Sequence, residues 1–157
     1  MTEIEIRRQV ACPYTRAKEL LRDRLQPLAE AGTSIAQRLS IAVRDRDLGK
    51  EVAMQFAVAH DPMHFDEPWD VSWEPEIGGI YPRFHGSLSV RASDTYERAR
   101  LELRGSYEPP LGAIGKAFDS VLGKRIAEAT GERFLDEIAS AIEERHRAEE
   151  AAKPTGG

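Results

Sequence analysis

Residues 114–142 read IGKAFDSVLGKRIAEATGERFLDEIASAI, and one periodicity holds across all of them. Every fourth position gives Ile114, Phe118, Leu122, Ile126, Thr130, Phe134, Ile138 and Ile142, flanked by Ala117, Val121, Ala127, Leu135 and Ala141. That spacing suits a helix and no strand. Lys116, Asp119, Lys124, Glu128, Glu132, Asp136, Glu137, Glu143 and Glu144 occupy most of the remaining surface and can face water. The stretch therefore predicts a long amphipathic helix that needs an apolar partner surface.

Positions four apart advance by about 400°, so the apolar stripe winds round the cylinder by roughly 40° per step. Its two ends cannot face one flat surface: either the helix bends or the partner curves. Gly123 and Gly131 are the positions where a bend costs least packing, and Pro109-Pro110 with Gly112 marks the start. The expectation is a leading segment near residues 113–122 and a main helix over 124–147, continuous or kinked.

The upstream chain supplies the curved partner. Ile4, Ile6 and Val10 alternate with Glu3, Glu5, Arg7 and Gln9, which reads as a half-buried strand with Arg8 on its apolar side. Pro13 opens one helix or two short ones, whose apolar side is Leu20, Leu21, Leu25 and Leu28; Pro27 would break or kink it and Gly32 close it. Ile35, Gln37, Leu39, Ile41 and Val43 then share a face, followed by a turn at 45–49 and a strand carrying Val52, Met54, Phe56 and Val58. Trp69, Val71 and Trp73 define a short strand between two loops. Phe84, Gly86, Leu88, Val90 and Ala92 define the next, and Ala99, Leu101, Leu103 and Gly105 the last, with Ser93-Asp94 as a two-residue turn. The predicted fold class is α+β: a curved antiparallel sheet of about six strands around a long C-terminal helix, with one or two short helices after the first strand.

On these residues the chain resembles the START/Bet v 1-like helix-grip superfamily, the polyketide cyclase/dehydrase and lipid-transport group. The resemblance spans nearly the whole chain. It is most specific at residues 82–90 (PRFHGSLSV), 101–112 (LELRGSYEPPLG) and 125–130 (RIAEAT), where the chain looks like a bacterial subgroup whose members mostly lack an assigned activity. It implies a cavity between sheet and helix that takes lipids, aromatic polyketides or hormones, and it implies no shared catalytic residue.

Composition narrows the function classes. The 157 residues are 41% hydrophobic and 31% charged, with net charge −5 and cations interspersed among anions. That is one domain, expected over 1–147 with a flexible tail at 148–157, and no footprint for nucleic acid. No window approaches about 18 consecutive apolar residues, so stable membrane insertion is not expected. The start of the chain carries no signal-peptide pattern, and the single Cys12 allows no internal disulfide, which suits a cytoplasmic setting.

Several constellations invite chemistry. His60, Asp61, His64 and Asp66 crowd one loop, but Pro62 prevents the helix that would align them, and no metal site is expected. Gly112 to Lys116, and again Gly123-Lys124, lack the spacing of a phosphate loop. No Gly-x-Ser-x-Gly occurs, and Cys12 beside Pro13 reads as a packing residue. Arg91, Arg98, Arg100 and Arg104 share the outer sheet face and read as a solvated stripe.

Inward positions that are polar or small are more informative. Arg8 and Gln37 lie on apolar faces, and Gly86, Ala99 and Gly105 leave space where Val or Ile would fill it. A buried Arg8 must find a carboxylate, a water-filled space or an anionic ligand. The expected ligand-binding set lining a cavity is Arg8, Gln37, Met54, Trp69, Trp73, Tyr107, Phe118 and Phe134, with no cofactor and with a hydrophobic small molecule or lipid as partner. Alternatives are a cyclase or dehydratase using His85 or Tyr107 as general acid or base, or a protein-interaction module with no filled cavity.

Overall fold

A computed structural model describes residues 2–31, 35–43, 46–59, 68–75, 83–108 and 120–154, and the side chains of 3–30, 56–59, 68–74, 83–108 and 123–154 among them. Eight elements follow one another: β1 (Thr2–Val10), α1 (Tyr14–Ala31), β2 (Ile35–Val43), β3 (Arg46–Ala59), β4 (Trp69–Pro75), β5 (Arg83–Ala92), β6 (Ala99–Glu108) and α2 (Ser120–Ala152). The six strands form one antiparallel sheet in the order β1-β6-β5-β4-β3-β2.

β1 and β2 are the two ends of that order, yet α2 packs against both, as well as against β6 and α1. A single rod can touch opposite margins of a sheet only if the sheet curls towards it. The winding stripe is what meets this curvature: Ile126, Thr130, Phe134, Ile138 and Ile142 are all buried, with Ala127, Leu135 and Ala139 beside them. Thr130 is tolerated in this apolar row because its hydroxyl donates to the Ile126 carbonyl one turn back, at 2.8 Å. Ile114, Phe118, the side chain of Leu122, and residues 113–119 of the leading segment expected over 113–122 lie outside the described residues, while 120–122 open α2. α1 covers another part of the concave side, packing on β3, β5 and β6.

The structure changes several expected boundaries. α2 is one helix through Gly123 and Gly131, and Gly131 serves close packing. A Cβ there would collide with Ile6 Cδ1 and lie 3.4 Å from Leu103 Cδ2. The helix also passes the expected stop at Arg147 and continues to Ala152, because Arg16 on α1 holds Glu149. Of the one or two helices expected after β1, the structure has one, α1, with Pro27 inside it. The expected turn at 45–49 is largely strand, since β3 begins at Arg46 and a bulge between Ser40 and Ala42 adjusts the register. The β5–β6 link spans residues 93–98 and not two residues, because pairing stops at Ala92 with Ala99. Gly32 and the loops 60–67 and 76–82 lie outside the described residues.

Candidate functional site

One row of residues crosses the concave face. Phe56 pairs with Trp73, Trp73 with Phe84, and Phe84 with Tyr107, so four neighbouring strands each place an aromatic at the same level. Alternation puts all four on the inner face, and register brings them into line. The Trp73 and Phe84 rings stack with centroids 4.1 Å apart and planes 16° from parallel. Phe56 lies 5.5 Å from Trp73. From α2, Phe134 stacks on Phe56 at 5.0 Å and meets Trp73 at 6.3 Å. All five residues are buried.

The glycines explain how Phe84 fits. Gly86 and Gly105 are register partners, and a Cβ on either would come within 2.6 Å of Phe84 Cζ. The ring therefore lies over the glycine pair. The space expected at Gly86 and Gly105 is not empty: Phe84 occupies it, two residues along the same face.

Within this apolar wall one polar group stands out. Trp73 is 2% exposed, and its Nε1–H meets no acceptor among the described residues. A buried donor without a partner loses the water it had in the unfolded chain and gains nothing in return, at a cost of about 1–3 kcal/mol.

The expected site residues are distributed unevenly. Trp73, Tyr107 and Phe134 belong to the aromatic group, and Trp69 is buried nearby on β4, opposite Leu88. Gln37 and Met54 are register partners on β2 and β3, which places them at one level of the sheet, and their side chains lie outside the described residues. Phe118 lies outside them altogether. Arg8 stands apart, at the seam between β1 and α2. Its Nε donates to Asp136 Oδ1 at 2.9 Å, a terminal nitrogen lies 3.7 Å from Glu143 Oε1, and another donates to the Gln9 carbonyl. Glu143 in turn accepts from the Ala11 amide at 2.9 Å. Of the fates open to Arg8, the structure shows the carboxylate.

Phe56 and Phe84 were missing from the expected site, although alternation had placed both on inner faces. His85 is exposed on the convex face, with Ser72 and Ser106 as register partners, whereas Tyr107 is buried. Cys12 is buried, and burial pushes its thiol up to about 11, which keeps it protonated and unreactive at neutral pH. Among the described residues no three His, Cys, Asp or Glu side chains converge as a metal site; the loop at 60–66 and the glycines at 112–115 lie outside them. Gly123-Lys124 lies inside the first turns of α2, where no phosphate loop can form.

The convex face carries a different arrangement. Glu102 is only 5% exposed although it points outward. It lies 3.1 Å from an Arg100 terminal nitrogen, 3.4 Å from Arg91 Nε and 3.5 Å from Arg7 Nε. Glu5 joins Arg7 at 2.6 Å and Arg104 at 3.2 Å, and these arginines hold the Glu5 carboxyl below its ordinary range. Arg98 donates to the Gln9 side chain. The expected basic stripe is therefore an alternating weave of both signs.

An open antiparallel sheet curled round a long C-terminal helix, with a helix after the first strand, is the START/Bet v 1-like helix-grip fold. An aromatase/cyclase from a Streptomyces species superposes with TM-score 0.51 at 14% identity, over 99% of this chain and 98% of that one. A Thermus thermophilus protein gives TM-score 0.49 at 20% identity, over 97% and 100% of the two chains. A START superfamily protein from Mycobacterium smegmatis gives 0.44 at 14%, over 91% and 95%. No protein-family model matches the sequence, and no curated protein does. Among the described residues no helix is long and apolar enough to cross a membrane.

Proposed function

We propose that this chain binds a hydrophobic or amphipathic small molecule, of lipid, aromatic or polyketide-like character, between the concave sheet face and α2. The observation that carries this reading is the Trp73 indole N–H, buried in an aromatic wall without an acceptor among the described residues. A ligand whose flat apolar body lies against the Trp73–Phe84 stack, and whose oxygen accepts from Nε1, would relieve that cost while burying its own apolar surface. Trp69, Tyr107, Phe134, Gln37, Met54 and Phe118 complete the proposed lining. Arg8 stays at the rim, since an ionic role towards a ligand would have to displace Asp136 and Glu143. The name of the Streptomyces neighbour, an aromatase/cyclase, makes aromatic ring compounds the first to try.

The test begins with native mass spectrometry of the protein as isolated, looking for a retained small molecule. Titration with a lipid and aromatic panel then follows the Trp73 indole resonance. A ligand bearing an acceptor oxygen should shift that resonance, and Trp73→Phe should weaken its binding by about tenfold, the worth of one buried hydrogen bond. A ligand lacking the acceptor should bind both proteins alike. The reading fails if every compound leaves both the resonance and the melting temperature unchanged.

A further inference from the structure

A cleft between the two helices shares no lining residue with the aromatic group. Leu20, Asp23 and Arg24 on α1 face Ala141, Ile142 and Arg145 on α2 across a cleft of about 330 Å³. Leu20 and Ile142 are almost wholly buried and form its floor, while Asp23, Arg24 and Arg145 are exposed at its rim. The arrangement follows from helical spacing. On each helix an apolar residue is followed one turn later by arginine, Leu20 by Arg24 and Ala141 by Arg145. Arg16 pairs with Glu149 while residues 20–24 face 141–145, so the helices run antiparallel and the two arginines flank the floor from opposite ends.

The rim holds two guanidiniums and one carboxylate, a local excess of positive charge on a chain of net charge −5. Neither arginine is saturated. Arg24 has no ion pair or hydrogen bond among the described residues. Arg145 reaches Glu149 only through Nε at 3.3 Å, and that carboxylate already accepts from two nitrogens of Arg16.

We propose that this cleft binds a small anionic amphiphile, with its apolar body on Leu20 and Ile142 and its anionic head held by Arg24 and Arg145. Planar guanidiniums suit a carboxylate head, and the cavity has the size of a small-ligand site. Asp23 opposes the anion and sets the upper limit of affinity. The proposal does not depend on the aromatic site.

The probe is octanoate, titrated into the isotopically labelled full chain and followed by amide and indole resonances, with octan-1-ol as the neutral control. Octanoate should shift the amides of Leu20, Asp23, Ala141 and Ile142 and leave the Trp73 indole in place. Octan-1-ol should bind about tenfold more weakly, and the double change Arg24→Gln with Arg145→Gln should cost octanoate at least about tenfold. Asp23→Asn should tighten octanoate severalfold. All three side chains are exposed, so the variants should melt like the parent, which a thermal scan checks. The proposal is overturned if ~10 mM octanoate shifts nothing, if the double variant binds octanoate unchanged, or if the shifts appear at Trp73 and the inner strands. That last result would favour the aromatic site and remove this one.

Discussion

The two faces of the sheet are made from alternate residues of the same strands, and β4 and β6 bury polar groups on them in opposite ways. Inside, Trp73 Nε1 is surrounded by rings and meets no acceptor among the described residues. Outside, Glu102 is nearly as buried, yet three guanidiniums lie within 3.5 Å of its carboxylate. The convex face makes its own low-exposure environment from long side chains whose charged ends stay partly exposed, although Arg100 Nε is itself covered and meets no acceptor among the described residues. The concave face is dry because α2 and α1 exclude water. A polar group can therefore be satisfied locally on one face and only by something from outside the sheet on the other.

The largest test of that contrast removes a ring from the dry side. Phe134→Ala should lower unfolding free energy by about 3–5 kcal/mol, because a cavity opens against Phe56 and Trp73; chemical denaturation measures it. Gly86→Ala should follow with about 3 kcal/mol, since the new methyl meets the Arg104 carbonyl and the Phe84 ring. A loss under ~0.5 kcal/mol would mean that Phe84 does not rest on the glycines. On the wet side, Glu102→Gln should cost only about 1 kcal/mol, and the loss should shrink in high salt because its partners are largely exposed.

Smaller effects come from the helix surface. Arg16 holds the Glu149 carboxyl below its ordinary range, Arg145 adding to it, so this pair stabilises the fold above the usual carboxylate pKa. That contribution is lost as pH falls through the lowered value, and Arg16→Gln should flatten the acid side of the stability profile below about pH 4. Glu132 has the opposite sign. Partial burial first, then Glu128 and Asp136, raise its carboxyl, so its charged form weakens the fold at neutral pH. Glu132 is exposed, so solvent screens most of that penalty, and Glu132→Gln should stabilise only slightly at pH 7, with the gain vanishing as pH falls through the raised value.

How far the sequence could be read differs between the same two faces. Period-two alternation in β5 and β6 assigned inner and outer residues correctly, because each strand contrasts apolar with charged side chains. The stripe in α2 gave the helix and its curved partner for the same reason. Alternation carries no information about alignment between strands, so the row from Phe56 to Tyr107 was invisible: it depends on registers set across connections whose lengths the pattern does not fix. The 93–98 link shows the difficulty, since Ser93-Asp94 suggested a turn of two residues whereas pairing ends at Ala92 with Ala99. Arg8 was recognised as anomalous within β1, but its partners Asp136 and Glu143 are more than a hundred residues away on a helix whose rotation no local rule supplies. Gly131 was noticed as a weak point in a helix, while its contact with Ile6 belongs to another element.

The reach of α2 to both margins of the sheet also governs the order in which the molecule can be made. β1 needs β6 beside it, and β1 and β2 both need a helix that is translated after every strand. Early segments must therefore wait on the ribosome as open, sticky ribbons until the last helix has emerged. Holdase chaperones should find this nascent chain a long-lived client, and slowing synthesis over residues 120–152 should raise aggregation more than slowing it anywhere earlier.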